Sequence, residues 1–230
     1  MNKIITVSEA VDQIKDGMTI MVGGFLGDGT PHSLVNEIAR RGIKDITLIC
    51  NDTGFVDYGT GIWVNNHQVK KTIASHVGTN KQTGIQMADG SMVVELVPQG
   101  SLAEKIRCGG FGLGAAITPT GVGTAVEEGK QKITIEGIEY LVEPALRADI
   151  ALIYGAIVDK RGNVVYHKTG RNFNPLMAMA ADKVIVEAGQ IVEVGEIDPN
   201  DVMTSGIVVD HIVQGEPIKE IYGEDHWRFQ

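Results

Sequence analysis

Thr19-Ile-Met-Val-Gly-Gly-Phe-Leu-Gly-Asp-Gly-Thr-Pro-His-Ser-Leu-Val-Asn-Glu-Ile-Ala-Arg-Arg-Gly42 changes character twice within a few turns of chain. Thr19 to Val22 reads as a short buried strand, because four residues of high β-propensity stand together without a charge. Gly23 to Gly29 then holds four glycines and cannot continue a strand. From Thr30 the period becomes helical. Thr30 is placed to cap, Pro31 fits the first helical position, and Leu34, Val35, Ile38 and Ala39 share one face until Gly42 stops the helix. A strand that breaks on glycine and restarts as a helix is the opening of an α/β layout.

The pattern continues on both sides. Thr6-Val-Ser-Glu9 has capping-box form, and Val7, Ala10, Val11 and Ile14 predict a short amphipathic helix that ends at Gly17. Strands are predicted at Ile46 to Ile49, Thr72 to Ser75 and Met92 to Val97, with a second capping box at Ser101-Leu-Ala-Glu104. Lys132 to Ile135 and Glu139 to Val142 flank a Gly137 turn and read as a hairpin. Ile150 to Ile153, Val164 to Tyr166 and Val184 to Glu187 read as further strands, the last preceded by a helix near Pro175 to Ala181. Alternating strands and helices predict a largely parallel sheet flanked by helices, with ligands at the carboxyl ends of the strands.

Composition narrows the function. The chain of 230 residues is 43% hydrophobic and 21% charged, with a formal net charge of −9. No repeat or linker divides it, so residues 1–230 are expected to form a single domain, with 217–230 as a flexible or docking tail. The acidic balance argues against nucleic acid, which needs Lys and Arg to displace counterions. The longest uncharged stretch, Cys108 to Val126, is too broken by glycine and threonine to supply the roughly 18 apolar residues of a membrane span. Cys50 and Cys108 form no CxxC, the histidines form no HExxH, and no metal site is expected. Reduced thiols and the lack of a signal-peptide apolar region lead to an expectation of a cytoplasmic protein.

From residues alone, the glycine loop has two readings. Free N–H groups at a helix start attract phosphate or carboxylate; alternatively, the turn simply needs positive φ angles. It is not a dinucleotide fingerprint, because Gly27-Asp-Gly29-Thr-Pro-His32 lacks the last glycine, and no GxxxxGK[ST] occurs.

The stretch Asp16-Gly17-Met-Thr-Ile-Met-Val-Gly23-Gly24-Phe25-Leu-Gly-Asp-Gly29-Thr-Pro31 resembles the N-terminal signature of the α (A) subunits of family I coenzyme A transferases. The similarity extends through Asn51-Asp52, Ile73-Ala-Ser-His76-Val-Gly-Thr-Asn80, Val97-Pro-Gln-Gly-Ser-Leu-Ala-Glu104, Thr118-Pro-Thr-Gly-Val-Gly123, Glu127-Glu-Gly129 and Arg171-Asn-Phe-Asn174. It is most similar to the bacterial subunits that handle acetate, butyrate or acetoacetate. The tail after about Glu216 has no counterpart in this resemblance.

The resemblance implies a CoA-transferase (Rossmann-like) α/β fold and a ping-pong exchange on a glutamate, through an acyl-glutamyl anhydride and a glutamyl-CoA thioester. It places that glutamate in a Ser-Glu-Asn-Gly motif on a separate β subunit. This sequence has no such motif. The implied assembly is therefore α2β2, with the chain inactive alone. CoA thioesters enter as substrates, and no cofactor is permanently bound.

The same resemblance assigns site residues. Gln99 corresponds to an oxyanion donor, for which a neutral amide suits a site already crowded by negative charge; the alternative is a side chain that ties its own turn. Gly23, Gly24, Phe25, Leu26, Gly27, Asp28 and Gly29 correspond to the proposed CoA-binding stretch. Asn51 is a candidate contact to substrate or partner subunit, or an Asx turn closing its strand. His76 is a candidate of the same kind, or a structural histidine. Arg171, Asn172 and Asn174 read as a helix cap and subunit contact. Glu127 and Glu128 read as a solvated face, and Cys50, with no basic neighbour, is not a nucleophile. A succinyl-CoA:3-oxoacid or 3-oxoadipate transferase subunit, or a non-catalytic ligand-binding module of related fold, stands as the alternative.

Overall fold

The computed structural model describes residues 2–223. Seven strands form a parallel sheet in the order β11-β10-β8-β1-β2-β3-β4. These are β1 (Thr19–Val22), β2 (Ile46–Cys50), β3 (Val69–Ala74), β4 (Val93–Leu96), β8 (Ala148–Asp159), β10 (Ala181–Val192) and β11 (His211–Gln214). The short β9 (Val164–Val165) pairs antiparallel with the end of β8. A separate three-stranded antiparallel sheet holds β5 (Ala115–Thr118), β6 (Lys132–Ile135) and β7 (Ile138–Pro144) in the order β5-β7-β6.

Strand alternation sorts the core into two layers. On β1, Ile20 and Val22 face one cluster with Leu34, Val35, Ile38 and Trp63, whereas Met21 faces the other. On β2, Leu48 and Cys50 join the first cluster and Ile49 the second. The helices α1 (Val7–Val11), α2 (His32–Arg41) and α3 (Gly61–Asn65) contribute to the first layer. The second is covered by α5 (Gln99–Gly110) and α6 (Asn174–Met179), which also pack on each other. The remaining helices are α4 (Lys81–Asp89) and α7 (Ile218–Tyr222), the latter against α2. The small sheet is tied to α5 by Glu143, a buried carboxylate that accepts from Lys105 at 3.3 Å and Lys130 at 2.6 Å.

Several local expectations are corrected. α1 forms its capping box, with Thr6 Oγ1 accepting from Glu9 N, but ends at Val11; Ile14 is buried from the turn that follows. Thr30 caps nothing. The N-cap is Pro31, and the α2 amides of Ser33 and Leu34 donate to Glu187 from β10. The Ser101-Glu104 box does not form either, because Pro98 starts α5 earlier; Ser101 lies inside the helix and Glu104 pairs with Arg107. The 132–142 hairpin forms with Glu136 and Gly137 both at positive φ. β5 and β11 have no counterpart among the predicted strands, and β8 and β10 run far beyond theirs. Residues 217–223 of the expected tail lie within the described chain, and 224–230 lie outside it.

Among the described residues, no helix is long and apolar enough to cross a membrane.

Candidate active site

Parallel pairing brings the carboxyl ends of β1 to β4 to one edge of the sheet, so the loops that follow them become neighbours. Asn51 follows β2 and is buried at 3% exposure. Its main-chain oxygen accepts from the N–H groups of Ser75 and His76 after β3. Its Oδ1 accepts from Gln99 Nε2 at 3.1 Å and lies 2.9 Å from Ser75 Oγ. Gln99 is the first residue of α5, not part of a free turn, and its amide reaches past the end of β3 to Asn51. One Gln99 N–H is thereby oriented while the side chain stays exposed.

The turn role expected of Asn51 belongs to its neighbour. Asp52 Oδ1 accepts from Gly54 N at 2.8 Å, closing an Asx turn, and Oδ2 accepts from Leu26 N at 2.9 Å. Burial pushes the Asp52 carboxyl up, against the pull of these two bonds. His76 is exposed and bridges Asp52 through the main chain. Cys50 is buried, and desolvation raises its thiol far above the ordinary range. That leaves no reactive thiolate.

The glycine loop is braced from three directions. Phe25 and Asp28 exchange main-chain hydrogen bonds at 3.0 Å, closing a tight turn with Leu26 at φ 50° and Gly27 at φ 93°. Asp52 takes the Leu26 N–H, as above. The 171–174 segment takes much of the rest: Asn172 Oδ1 accepts from Gly24 N at 3.0 Å, and Asn172 Nδ2 donates to the Asp28 carbonyl at 3.0 Å. Asn174, fully buried, donates to the carbonyls of Gly29 and Gly170 at 2.9 Å, while its Oδ1 accepts from Tyr154 N at 3.1 Å. Thr169 Oγ1 donates to the Asp28 carboxylate. Asn172 and Asn174 are thus clamps on the loop rather than the helix cap expected of them; the α6 N-cap is Phe173, without a side-chain bond.

The glycines are needed by the protein's own packing. A Cβ on Gly27 would stand 2.0 Å from Tyr58 Cε1, one on Gly24 2.0 Å from Thr30 Oγ1, and one on Gly29 2.3 Å from the Gly170 oxygen. Of the loop's N–H groups, those of Gly27 and Gly29 have no acceptor among the described residues.

Beside the loop lies a cavity of about 470 Å³, lined in part by Gly27, Gly29, His32, Tyr58, Tyr154 and Glu187. Sequence reasoning missed the role of Glu187, although a carboxylate ending the apolar run Val184 to Val186 was the available signal. It is 2% exposed, and its oxygens accept from Ser33 N, Ser33 Oγ and Leu34 N. Burial still dominates and pushes its pKa up to about 7. His32 is also buried, which lowers its pKa to about 4. The helix-start amides that could have held an anion are therefore occupied from within.

The arrangement offers fixed neutral donors at strand ends and carboxylates already engaged by main-chain N–H groups. A coenzyme A transferase family model matches residues 4–215. The chain belongs to that family. It is 53% identical over 217 residues to the acetate CoA-transferase subunit alpha of Escherichia coli K12, covering 94% of this chain and 99% of the relative. It is 49% identical to the acetoacetyl-CoA:acetate/butyrate CoA transferase alpha subunit of Clostridium acetobutylicum, covering 93% and 98%. An acyl-CoA transferase from E. coli O157:H7, solved as a thioester complex with CoA, superposes with a TM-score of 0.82 at 20% identity. That match covers 93% of this chain and 47% of the solved one, so this transferase subunit spans about half the length of that structure and shares its fold. The chain is an alpha-type subunit of a CoA-transferase, with an α/β fold as the alternation of elements predicts.

Proposed function

We propose that this subunit moves CoA between a short-chain acyl-CoA and a small carboxylate, acetate, butyrate or acetoacetate, in a cytoplasmic α2β2 assembly whose β chain carries the Ser-Glu-Asn-Gly glutamate. CoA thioesters are substrates here, and residues 1–230 act as one domain. The substrates named for the E. coli and Clostridium relatives support the class. The observation that carries the division of labour is that the inward carboxylates near this edge are spent. Asp52 accepts two main-chain N–H groups and Glu187 accepts three donors. A carboxylate held this way is a poor nucleophile, so the attacking one comes from another chain.

In that scheme the partner's carboxylate attacks the thioester carbonyl and the CoA thiolate leaves, giving the anhydride. The thiolate then attacks the glutamyl carbonyl, and the donor carboxylate departs. Gln99 donates its second N–H to the oxyanion of each tetrahedral state, preoriented by Asn51. Asn51 Nδ2 and His76 face the substrate or partner side. From the glycine loop, the unspent Gly27 and Gly29 amides and the exposed Phe25 contact CoA. Gly23, Gly24, Leu26 and Asp28 hold that surface in shape.

Mixing the chain with the product of an adjacent reading frame bearing Ser-Glu-Asn-Gly, and assaying acyl-CoA exchange, tests the proposal. Transfer is expected only in the mixture. Robust turnover by a preparation of this chain free of partner would overturn it.

A further inference from the structure

His32 and Tyr222 are joined in a network whose proton positions follow from its geometry. The Gly27 carbonyl can only accept, so His32 Nε2, at 2.9 Å, carries a proton and donates to it. The buried ring is neutral near pH 7, because desolvation lowers its pKa to about 4. Nδ1 therefore accepts, and Tyr222 Oη, at 3.0 Å, donates to it. The Tyr222 oxygen in turn accepts from Asn36 Nδ2 at 2.9 Å and Gly59 N at 3.1 Å. Asn36 spends its other amide proton on the His32 carbonyl at 2.8 Å.

The rings reinforce these bonds. Tyr58 lies 4.6 Å from both His32 and Tyr222, centroid to centroid, and Tyr222 meets His32 edge-on at 5.3 Å. Tyr58 is also the side chain that leaves no room for a Cβ on Gly27. The segment leading to Tyr222 is stitched to the same helix, with Glu216 N donating to Ser33 Oγ at 2.9 Å.

We propose that Tyr222, on the C-terminal helix α7, is a positioning residue for the glycine loop, acting through His32 held as its neutral Nε2–H tautomer. Without the tyrosine hydroxyl, the imidazole loses the donor that fixes its tautomer, and the Gly27 carbonyl loses a fixed partner. Gly27 sits between Leu26, tied to Asp52, and Asp28, tied to Asn172, and its carbonyl also accepts from Thr30 N at 3.3 Å, so holding that carbonyl fixes the peptide plane that lies between the two planes carrying the unspent Gly27 and Gly29 amides. The effect on turnover rests on the transferase reading; the tautomer and the bond do not.

The test uses the full chain, alone for spectroscopy and reconstituted with its partner for kinetics. Long-range 1H–15N correlation should show wild-type His32 with a protonated Nε2 and a hydrogen-bonded Nδ1. Tyr222→Phe should move the Nδ1 resonance toward that of an unbonded acceptor. It should also lower kcat/KM about tenfold, the scale of one lost partner among buried polar groups. His32→Gln can carry an amide donor to the Nε2 position, whereas His32→Asn reaches only the Nδ1 position, so Gln should retain more activity than Asn. The His32 pair decides alone where Tyr222→Phe fails to fold. Unchanged His32 resonances, wild-type kcat/KM in Tyr222→Phe, or equal loss from Gln and Asn would each overturn the proposal. A wild-type mixture without transfer would instead overturn the transferase reading, while the resonances still test the network.

Discussion

Glu187 and His32 line one cavity and are displaced from their ordinary pKa values in opposite directions, which predicts a cancellation that single substitutions expose. Burial raises the Glu187 carboxyl from 4.5 to about 7. Between those values the folded chain keeps a proton that the unfolded chain releases, so this contribution is present below pH 4.5 and is lost as pH rises to about 7. Burial lowers the His32 imidazole from 6.5 to about 4. Its contribution is present above pH 6.5 and is lost as pH falls to about 4, because the unfolded chain binds the proton first. Each is worth about 3 kcal/mol over its window, and the slopes oppose between pH 4.5 and 6.5. Glu187→Gln should leave a stability that rises with pH across that interval, and His32→Gln one that falls. Glu37, drawn down to about 2 chiefly by its hydrogen bond to Arg40, titrates below the window. Asp52, raised by burial, adds to both variants alike. Denaturant unfolding at half-unit pH steps measures the slopes. Parallel slopes in the two variants would refute the reasoning.

Gln99→Ala should slow formation of the enzyme-CoA thioester in the reconstituted complex by on the order of 10² to 10³. It should lower unfolding free energy by only about 1 kcal/mol or less, since Ser75 remains beside Asn51 Oδ1; stopped-flow and denaturant titrations check both. Gly27→Ala should destabilise by about 1 to 3 kcal/mol beyond Gly17→Ala, because both have positive φ but only Gly27 meets another residue. Thermal melts of the two variants compare clash plus strain with strain alone.

The parallel sheet was legible because its signals are local: Thr19 to Val22, Ile46 to Ile49 and Val184 to Val186 are runs of uncharged, mostly apolar residues wherever they pack. What failed was capping at α2 and α5, whereas the Thr6–Glu9 box formed. Thr30 and Ser101 have the right chemistry, yet Pro31 and Pro98 set the starts of α2 and α5, and at α2 a distant carboxylate serves the first amides. β11 was hidden because His211 to Gln214 is short and mixed, and becomes a strand only by lying beside Ile185 to Ala188. At the site, the Asn51 and Gln99 positions were readable through family resemblance, but their mutual bond spans 48 residues of sequence and no local pattern contains it. The clamp role of Asn172 and Asn174 was likewise misread as a cap, since Asn before Pro175 looks the same in either role.

The braced loop bears on how the subunit works. A glycine-rich strand end is often taken as a flexible flap, but here Asp52, Asn172, Asn174 and His32 each hold a different main-chain group of the loop. Their origins on β2's end, the 171–174 segment and α2 mean that the loop cannot shift without breaking bonds to elements fixed by the core. Fixed donors stabilise developing charge without reorganising at the moment of reaction, which is how a binding surface contributes to rate as well as affinity. Because Asp52 is consumed in that bracing and Glu187 in holding the start of α2, rigidity and a locally supplied nucleophile compete for the same side chains. Under the proposed scheme, a nucleophile carried on a second chain would remove the competition, leaving one chain to hold the donors still and the other to bring the reactive carboxylate to them.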